Sequence, residues 1–245
     1  MSVTRPITPS AAMVLAAGFG KRMRPLTDDR PKPLVQVAGK ALIDYALDRF
    51  AAAGISKAVV NVHYLADQLE AHLSDRTDLK IVISDERTEL LETGGGLKKA
   101  RPHFQNEAVF CTNTDAILLD ETDPEEACAK LAQAWRGDAM DALLLLAPIE
   151  NTTGYHGRGD FDRHADGRIV FRREDQAAYV FTGLQIISIN LIDQGPDGPF
   201  STKRLWDRAE QTGRLFGVIT NGRWLHVGDP DSLRRAESII AETGA

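Results

Sequence analysis

Apolar positions along the chain follow two spacings. Short, almost wholly apolar runs occur at 12–17 (AMVLAA), 58–63 (AVVNVH), 80–84 (KIVIS), 108–113 (AVFCTN) and 142–148 (ALLLLAP). Between them, apolar residues recur every three or four positions. This second spacing predicts helices over 41–53, 66–73, 95–100 and 125–135. In the first of these, Leu42, Ile43, Ala46, Leu47 and Phe50 share a face, and Gly54 stops the helix. Strands apolar on both sides belong to a sheet covered by helices on both faces. The alternation therefore predicts an α/β fold with a mostly parallel sheet.

After Pro148 the pattern shifts to short alternating strands at 159–164, 167–173 and 178–188, with a hairpin turn at Asp166-Gly167. A helix at 203–211, a strand at 215–220 and a helix at 230–242 complete the order. No internal repeat interrupts it. The chain reads as one domain over 1–245. Its parts are an α/β part at about 11–148, a small inserted β region within about 149–228, and a C-terminal helix at 229–245.

Composition narrows the function classes. The net charge of −6 over 245 residues argues against nucleic acid as a partner. No apolar run is long enough for a bilayer, and the first ten residues lack the apolar core of a secretory signal. Cys111 and Cys128 are too few for a disulfide framework or a zinc site; free, partly buried thiols in a cytoplasmic protein are expected.

Against that acidic background, residues 15–34 (LAAGFGKRMRPLTDDRPKPL) concentrate positive charge. Gly18 and Gly20 follow an apolar strand, and Lys21, Arg22, Arg24, Arg30 and Lys32 come next. Glycine lets backbone N–H groups approach an anion, and the cations then hold it, so a polyphosphate is the expected ligand. Two familiar phosphate loops do not fit. A dinucleotide fingerprint needs a third small residue where Met23 stands. A Walker A loop needs glycine at Leu15 and a hydroxyl residue at Arg22.

The pattern G-x-G-x-R…P-K-P-L across 13–35 instead resembles the sugar-1-phosphate nucleotidyltransferase family. The resemblance implies a Rossmann-like fold of the nucleotide-diphospho-sugar transferase type. Its nucleotide-binding part would be 11–148 and its sugar-binding part 149–228. It also implies an activity: a sugar 1-phosphate attacks a nucleoside triphosphate, and pyrophosphate leaves. Arg22 would grip the outer phosphates. Lys32, stiffened by Pro31 and Pro33, would reach the α-phosphate. Leu15, Ala16, Ala17, Gly18 and Gly20 would lie under the base and ribose, near Asn113. In ELLETGGGL (89–97), Gly94 and Gly95 would approach the base and Glu92 would shape the loop.

Asp115, just after an apolar strand, matches the family's Mg²⁺ ligand. Asn151, Gly159, Asp160, Glu174, Thr182 and Gly183 match segments that contact the sugar phosphate; Arg172 and Arg173 read equally as phosphate contacts or as surface charge. The segment WLHVGDP (224–230) departs from the family's W-x-D-[IV]-G-T-P, with His226 at the aspartate position and Asp229 at the threonine. Several readings stay open. Asp115, phosphate oxygens and water hold the metal alone; Asp229 swings in; His226 accepts Mn²⁺; or His226 touches no metal. ELLETGGGL, GDF and W-x-x-V-G are most similar to members that use UTP and N-acetylmuramate 1-phosphate, with mannose 1-phosphate and GTP as the alternative. A non-catalytic sugar-nucleotide regulator is the other class of reading.

Overall fold

The computed structural model describes residues 9–119 and 126–243; the expected helix start at 125 and the ends of the 1–245 span lie outside the described residues. Nine strands form the main sheet. Its parallel half consists of β1 (Ala11–Leu15), β4 (Lys57–Val62), β5 (Lys80–Asp85) and β6 (Ala108–Asn113), with β1 between β4 and β6. The crossovers between these strands carry α1 (Leu42–Ala52), α2 (Ala66–Ser74) and α3 (Glu92–Ala100). A two-residue pair, β2 (Gln36–Val37) and β3 (Lys40–Ala41), leads into α1.

The other half contains β8 (Ala142–Pro148), β10 (Phe161–Arg163), β11 (Ile169–Phe171), β12 (Tyr179–Ser188) and β13 (Leu215–Ile219). Strand β12 runs antiparallel between β6 and β8, and β13 lies parallel to β8. The expected inserted β region is therefore not a separate layer, because its longest strand sits in the middle of the main sheet. The small β10–β11 hairpin pairs with the start of β12, and its turn bridges to β13 through Arg168 and Phe216. Helices α4 (Glu126–Ala134), α5 (Ile189–Asp193) and α6 (Lys203–Gln211) complete the covering layers.

Strand alternation sends successive side chains to opposite faces, and two cores result. Ala12, Val14, Val60, Phe110, Leu143 and Leu145 pack with α1, α2 and α4 on one face. Met13, Val59, Cys111, Leu144 and Leu146 pack with α3, α5 and α6 on the other. The continuous apolar runs exist because both sets need burial.

A third, smaller core decides where the site forms. A three-stranded sheet joins β7 (Ala116–Leu119), β14 (Arg223–His226) and β9 (Thr152–Thr153), with α7 (Pro230–Thr243) against it. Met23, Val35, Val37, Ile117, Leu225, Val227 and Leu233 meet there. Both ends of the basic loop are thus anchored to the far end of the chain through buried Met23 and Val35.

Helix α3 begins at Glu92, so the triple glycine lies inside it rather than before it. The reason is crowding. A Cβ on Gly94 would come within 2.3 Å of the Phe200 ring, and one on Gly95 within 2.6 Å of the Gly198 carbonyl. Each glycine costs a helix about 1 kcal/mol relative to alanine; here close packing offsets that.

Candidate active site

In an open α/β sheet the crevice outside the carboxyl ends of the parallel strands is the natural ligand site. A cavity of about 450 Å³ lies there. The end of β1 and the glycine loop form its floor, with Leu15, Ala16, Ala17, Gly18, Gly20 and Arg22. Lys32 and Pro33 close one side, Leu90, Glu92 and Thr93 another, and Asn113, Thr114 and Asp115 a third. Gly18 has open space where a Cβ would stand. Gly20 has φ +62 and passes so close beneath Lys32 that a Cβ would sit 2.8 Å from the lysine's own Cβ. The Thr27 hydroxyl donates to the Gly20 carbonyl at 2.9 Å and holds the turn.

The central contact spans 83 positions of sequence: Lys32 Nζ donates to Asp115 Oδ2 at 2.9 Å. The two side chains keep 13% and 24% of their exposure, so the pair is shielded but open to the cavity. Burial alone would raise the Asp115 pKa, but Lys32, with His226 and Arg22 nearby, holds it below the usual carboxylate range. His226 is itself pushed below the ordinary histidine range by burial, against the pull of Asp115 and reinforced by Lys32 and Arg22. At neutral pH its ring is therefore mainly neutral, which leaves Lys32 and Arg22 as the cations that keep Asp115 ionised. Arg22 makes no hydrogen bond or ion pair among the described residues. Lys21 lies over the Phe19 ring, and Arg24 pairs with Asp28 at 3.2 Å.

Two residues absent from the sequence reading set the wall formed by Leu90, Glu92 and Thr93. Asn61, 2% exposed, accepts from the Ala16 N–H at 2.7 Å and donates to Glu86 Oε1 at 2.8 Å. Glu86, fully buried, accepts from the Leu91 N–H at 3.0 Å through its other oxygen. One relay thus fixes both the 15–18 segment and the start of α3. A Cβ on Gly96 would lie 2.7 Å from Glu86 Oε1, which accounts for the third glycine. The signal was present: Asn61 is a lone polar residue in an apolar strand, and buried polar groups need partners. Glu92 itself has φ +59, a left-handed conformation unusual for a non-glycine residue.

The departures in WLHVGDP have different fates. His226 faces Ala116 across the β7–β14 pair, and the Val227 N–H donates to the Asp115 carbonyl at 2.8 Å, so the histidine stands beside Asp115. Its Nε2 would be 2.6 Å from a Cβ on Gly228, which also lines the cavity. Asp229 instead caps α7: its Oδ1 accepts from the Ser232 N–H at 2.8 Å, and Ser232 Oγ accepts from the Asp229 N–H at 3.0 Å. This reciprocal pair is a capping box with serine in place of the usual glutamate. The cap engages the Asp229 carboxylate, and its hydrogen bonds from Ser232 hold the pKa low. Among the described residues no group of three His, Cys, Asp or Glu side chains could hold a metal ion. What remains is one carboxylate, Asp115, with an imidazole beside it. The Asp115 carboxylate would give a hard cation one oxygen ligand, with phosphate oxygens and water completing the shell, whereas the imidazole is a softer nitrogen donor.

The remaining expected residues divide. Gly94 and Gly95 are buried against Phe200 and Gly198 and do not line the cavity. Gly159 and Asp160 line a second cavity of about 310 Å³. Asn151 and Glu174 are exposed and line neither cavity. Thr182 is fully buried and donates to the Leu145 carbonyl at 2.9 Å. Gly183, φ +97, is a bulge residue whose Cβ position lies 3.4 Å from that of Asn113.

The family model described as Nucleotidyl transferase matches residues 11–170. The chain is 48% identical over 239 residues to the N-acetylmuramate alpha-1-phosphate uridylyltransferase of Caulobacter vibrioides, covering 96% of this chain and 98% of that protein. Identity to the enzyme of the same name from Neisseria meningitidis serogroup B is 32%, over 93% and 97% of the two chains. Among solved structures, the inositol-1-phosphate CTP transferase from T. maritima superposes with a TM-score of 0.76 at 19% identity, covering 96% of this chain and 97% of that one. The matched residues run from β1 through the basic loop and Asp115 into the β10–β11 hairpin, and so include every wall of the cavity except Gly228. The chain belongs to the nucleotidyl transferase family.

Proposed function

We propose that the protein joins UTP to N-acetylmuramate 1-phosphate in the cytoplasm, giving UDP-N-acetylmuramate and pyrophosphate. The observation that carries the chemistry is the Lys32–Asp115 pair at 2.9 Å in the wall of a glycine-floored cavity that Arg22 also faces. The choice of substrates rests on the 48% identity to a uridylyltransferase of that name, along nearly the whole length of both chains. Cys111 and Cys128 are buried and not joined in a disulfide, in agreement with a reducing compartment.

An oxygen of the sugar phosphate attacks the α-phosphorus of UTP, a new P–O bond forms, and the bond to the β-phosphate breaks. A phosphate monoester has its second pKa near about 6, so the nucleophile is ionised at neutral pH and no general base is needed. The protein's task is to align two anions and offset their repulsion. Lys32, released from Asp115, meets the α-phosphate; Arg22 holds the outer phosphates. Ala16, fixed by Asn61, and Glu92 and Thr93, fixed through Leu91, enclose the base. Asp115 would hold Mg²⁺ or Mn²⁺ with His226 beside it, and such an ion supplies further positive charge to the transferring group.

A pyrophosphate-release screen over nucleoside triphosphates and sugar 1-phosphates tests the proposal. The expected best pair is UTP with N-acetylmuramate 1-phosphate. GTP with mannose 1-phosphate as the best pair overturns the substrate assignment, and no turnover with any pair overturns the activity.

A further inference from the structure

The second cavity is tied to the first through residues next to its lining. The Thr202 N–H donates to Thr93 Oγ1 at 2.9 Å, and Thr93 lines the nucleotide cavity. On the other side, Phe181 lies two residues before Gly183, which touches Asn113. The walls are aromatic: Phe171, Phe181 and Trp206, with Phe181 and Trp206 edge to face at 4.9 Å. Three charged side chains, Asp160, Arg172 and Lys203, stand at its corners. Asp160 accepts from the Phe181 N–H at 3.0 Å. The Arg172 guanidinium is engaged by the carbonyls of Gly159, Glu174 and Asp175.

Lys203 is different. Its ammonium makes no hydrogen bond or ion pair among the described residues, and its one contact is the face of Phe171, 4.9 Å from the ring centroid. An unpaired cation over an aromatic wall is a receptor for an anion carried on a short apolar stem. The reading above assigns the triphosphate to Arg22 and Lys32, which leaves Lys203 for an anionic group of the sugar substrate. N-acetylmuramate differs from N-acetylglucosamine by a lactyl ether, which is a carboxylate with a methyl group beside it.

Resting on the substrate reading above, we propose that Lys203 binds the lactyl carboxylate, while Phe171 and Trp206 pack its methyl group. Lys203 is then the residue that selects a carboxylated sugar 1-phosphate over its uncarboxylated parent. Asp160, on another corner, accepts from a sugar hydroxyl or amide and keeps the carboxylate on the lysine side.

The test compares wild type, Lys203→Met and Lys203→Arg with UTP and either N-acetylmuramate 1-phosphate or N-acetylglucosamine 1-phosphate. Wild type should favour the carboxylated sugar. Lys203→Met should raise its KM about tenfold or more with little change in kcat, leave the KM of the uncarboxylated sugar unchanged, and be largely rescued by Lys203→Arg. Equal effects on both sugars, no effect on either, or no wild-type preference overturns the proposal while leaving nucleotidyl transfer intact. Absence of wild-type turnover with both sugars counts against the activity itself. Calorimetric binding of the two sugar phosphates to wild type and Lys203→Met then judges the lysine by the same criterion.

Discussion

At the amino ends of the parallel strands lies a groove of about 1090 Å³, more than twice the 450 Å³ of the cavity proposed for the nucleotide at the carboxyl ends. It holds three arginines, and each is engaged. Arg101 donates to Asp193 at 2.9 Å, Arg136 to the Gln133 and Trp135 carbonyls, and Arg214 pairs with Asp141 at 3.0 Å while bonding the Asp138 carbonyl. In the smaller cavity Arg22 makes no hydrogen bond or ion pair among the described residues, and Lys32 shares one carboxylate. Volume therefore does not mark the ligand site. Cations held close together without full compensation do, because only they gain from an incoming anion.

The largest effect expected from this contrast is on turnover. Lys32→Ala should lower kcat by about 10²–10³-fold, the range for removing one preorganised donor to a developing charge. Arg214→Ala, at the opposite end, should leave turnover within about twofold and lower only stability. Steady-state rates for both variants, with melting curves, break the comparison if Arg214→Ala is the more damaging to kcat.

Next is Arg22→Ala. Its side chain has no structural partner to lose, so the fold should keep its melting temperature, while KM for the triphosphate rises about tenfold or more. A drop in stability instead would show that Arg22 has a structural role.

Glu86→Ala tests the relay beneath the base wall. It leaves the Leu91 N–H and an Asn61 amide hydrogen buried without acceptors, at a cost of about 1–3 kcal/mol for each unsatisfied group. Urea unfolding should show this loss, and discrimination among nucleoside triphosphates should weaken with it. Unchanged stability would mean that the relay does not order both walls.

The smallest effect is on the sheet between the two ends. Burial pushes the Cys111 thiol up to about 12, against a weaker opposing hydrogen bond from Gln185, and Cys128 is also buried. A thiol reagent near pH 8 should label neither cysteine in the native protein and both after denaturation. Because the folded-state pKa of Cys111 is raised, its contribution to stability is full below about 9 and fades as pH rises toward 12.

Much of this was legible in the chain. The apolar strands and the helix over 42–52 follow directly from spacing, because a strand buried on both faces has no polar alternative. The basic glycine loop announced a polyphosphate site for the same local reason. The elements β7 and β14 were not legible: each is four residues long, too short for a period to show. The triple glycine was legible as a close approach, but not what it approaches. Phe200, Gly198 and Asn61 are distant in sequence, and the glycines pack against them inside α3.

The sequence by itself determined the α/β layering and the concentration of positive charge in residues 15–34, since these rest on local periodicity and composition, while Asp115 was a candidate ligand only through the family resemblance. Tertiary structure decided the rest. It brought Lys32 to Asp115 across 83 residues, because Met23 and Val35 share a core with β7, β14 and α7. It assigned Asp229 to a helix cap and set His226 beside Asp115, although the two residues are three apart in the chain. A hydrogen-bond partner is chosen by proximity in the folded state, and no local pattern records that choice.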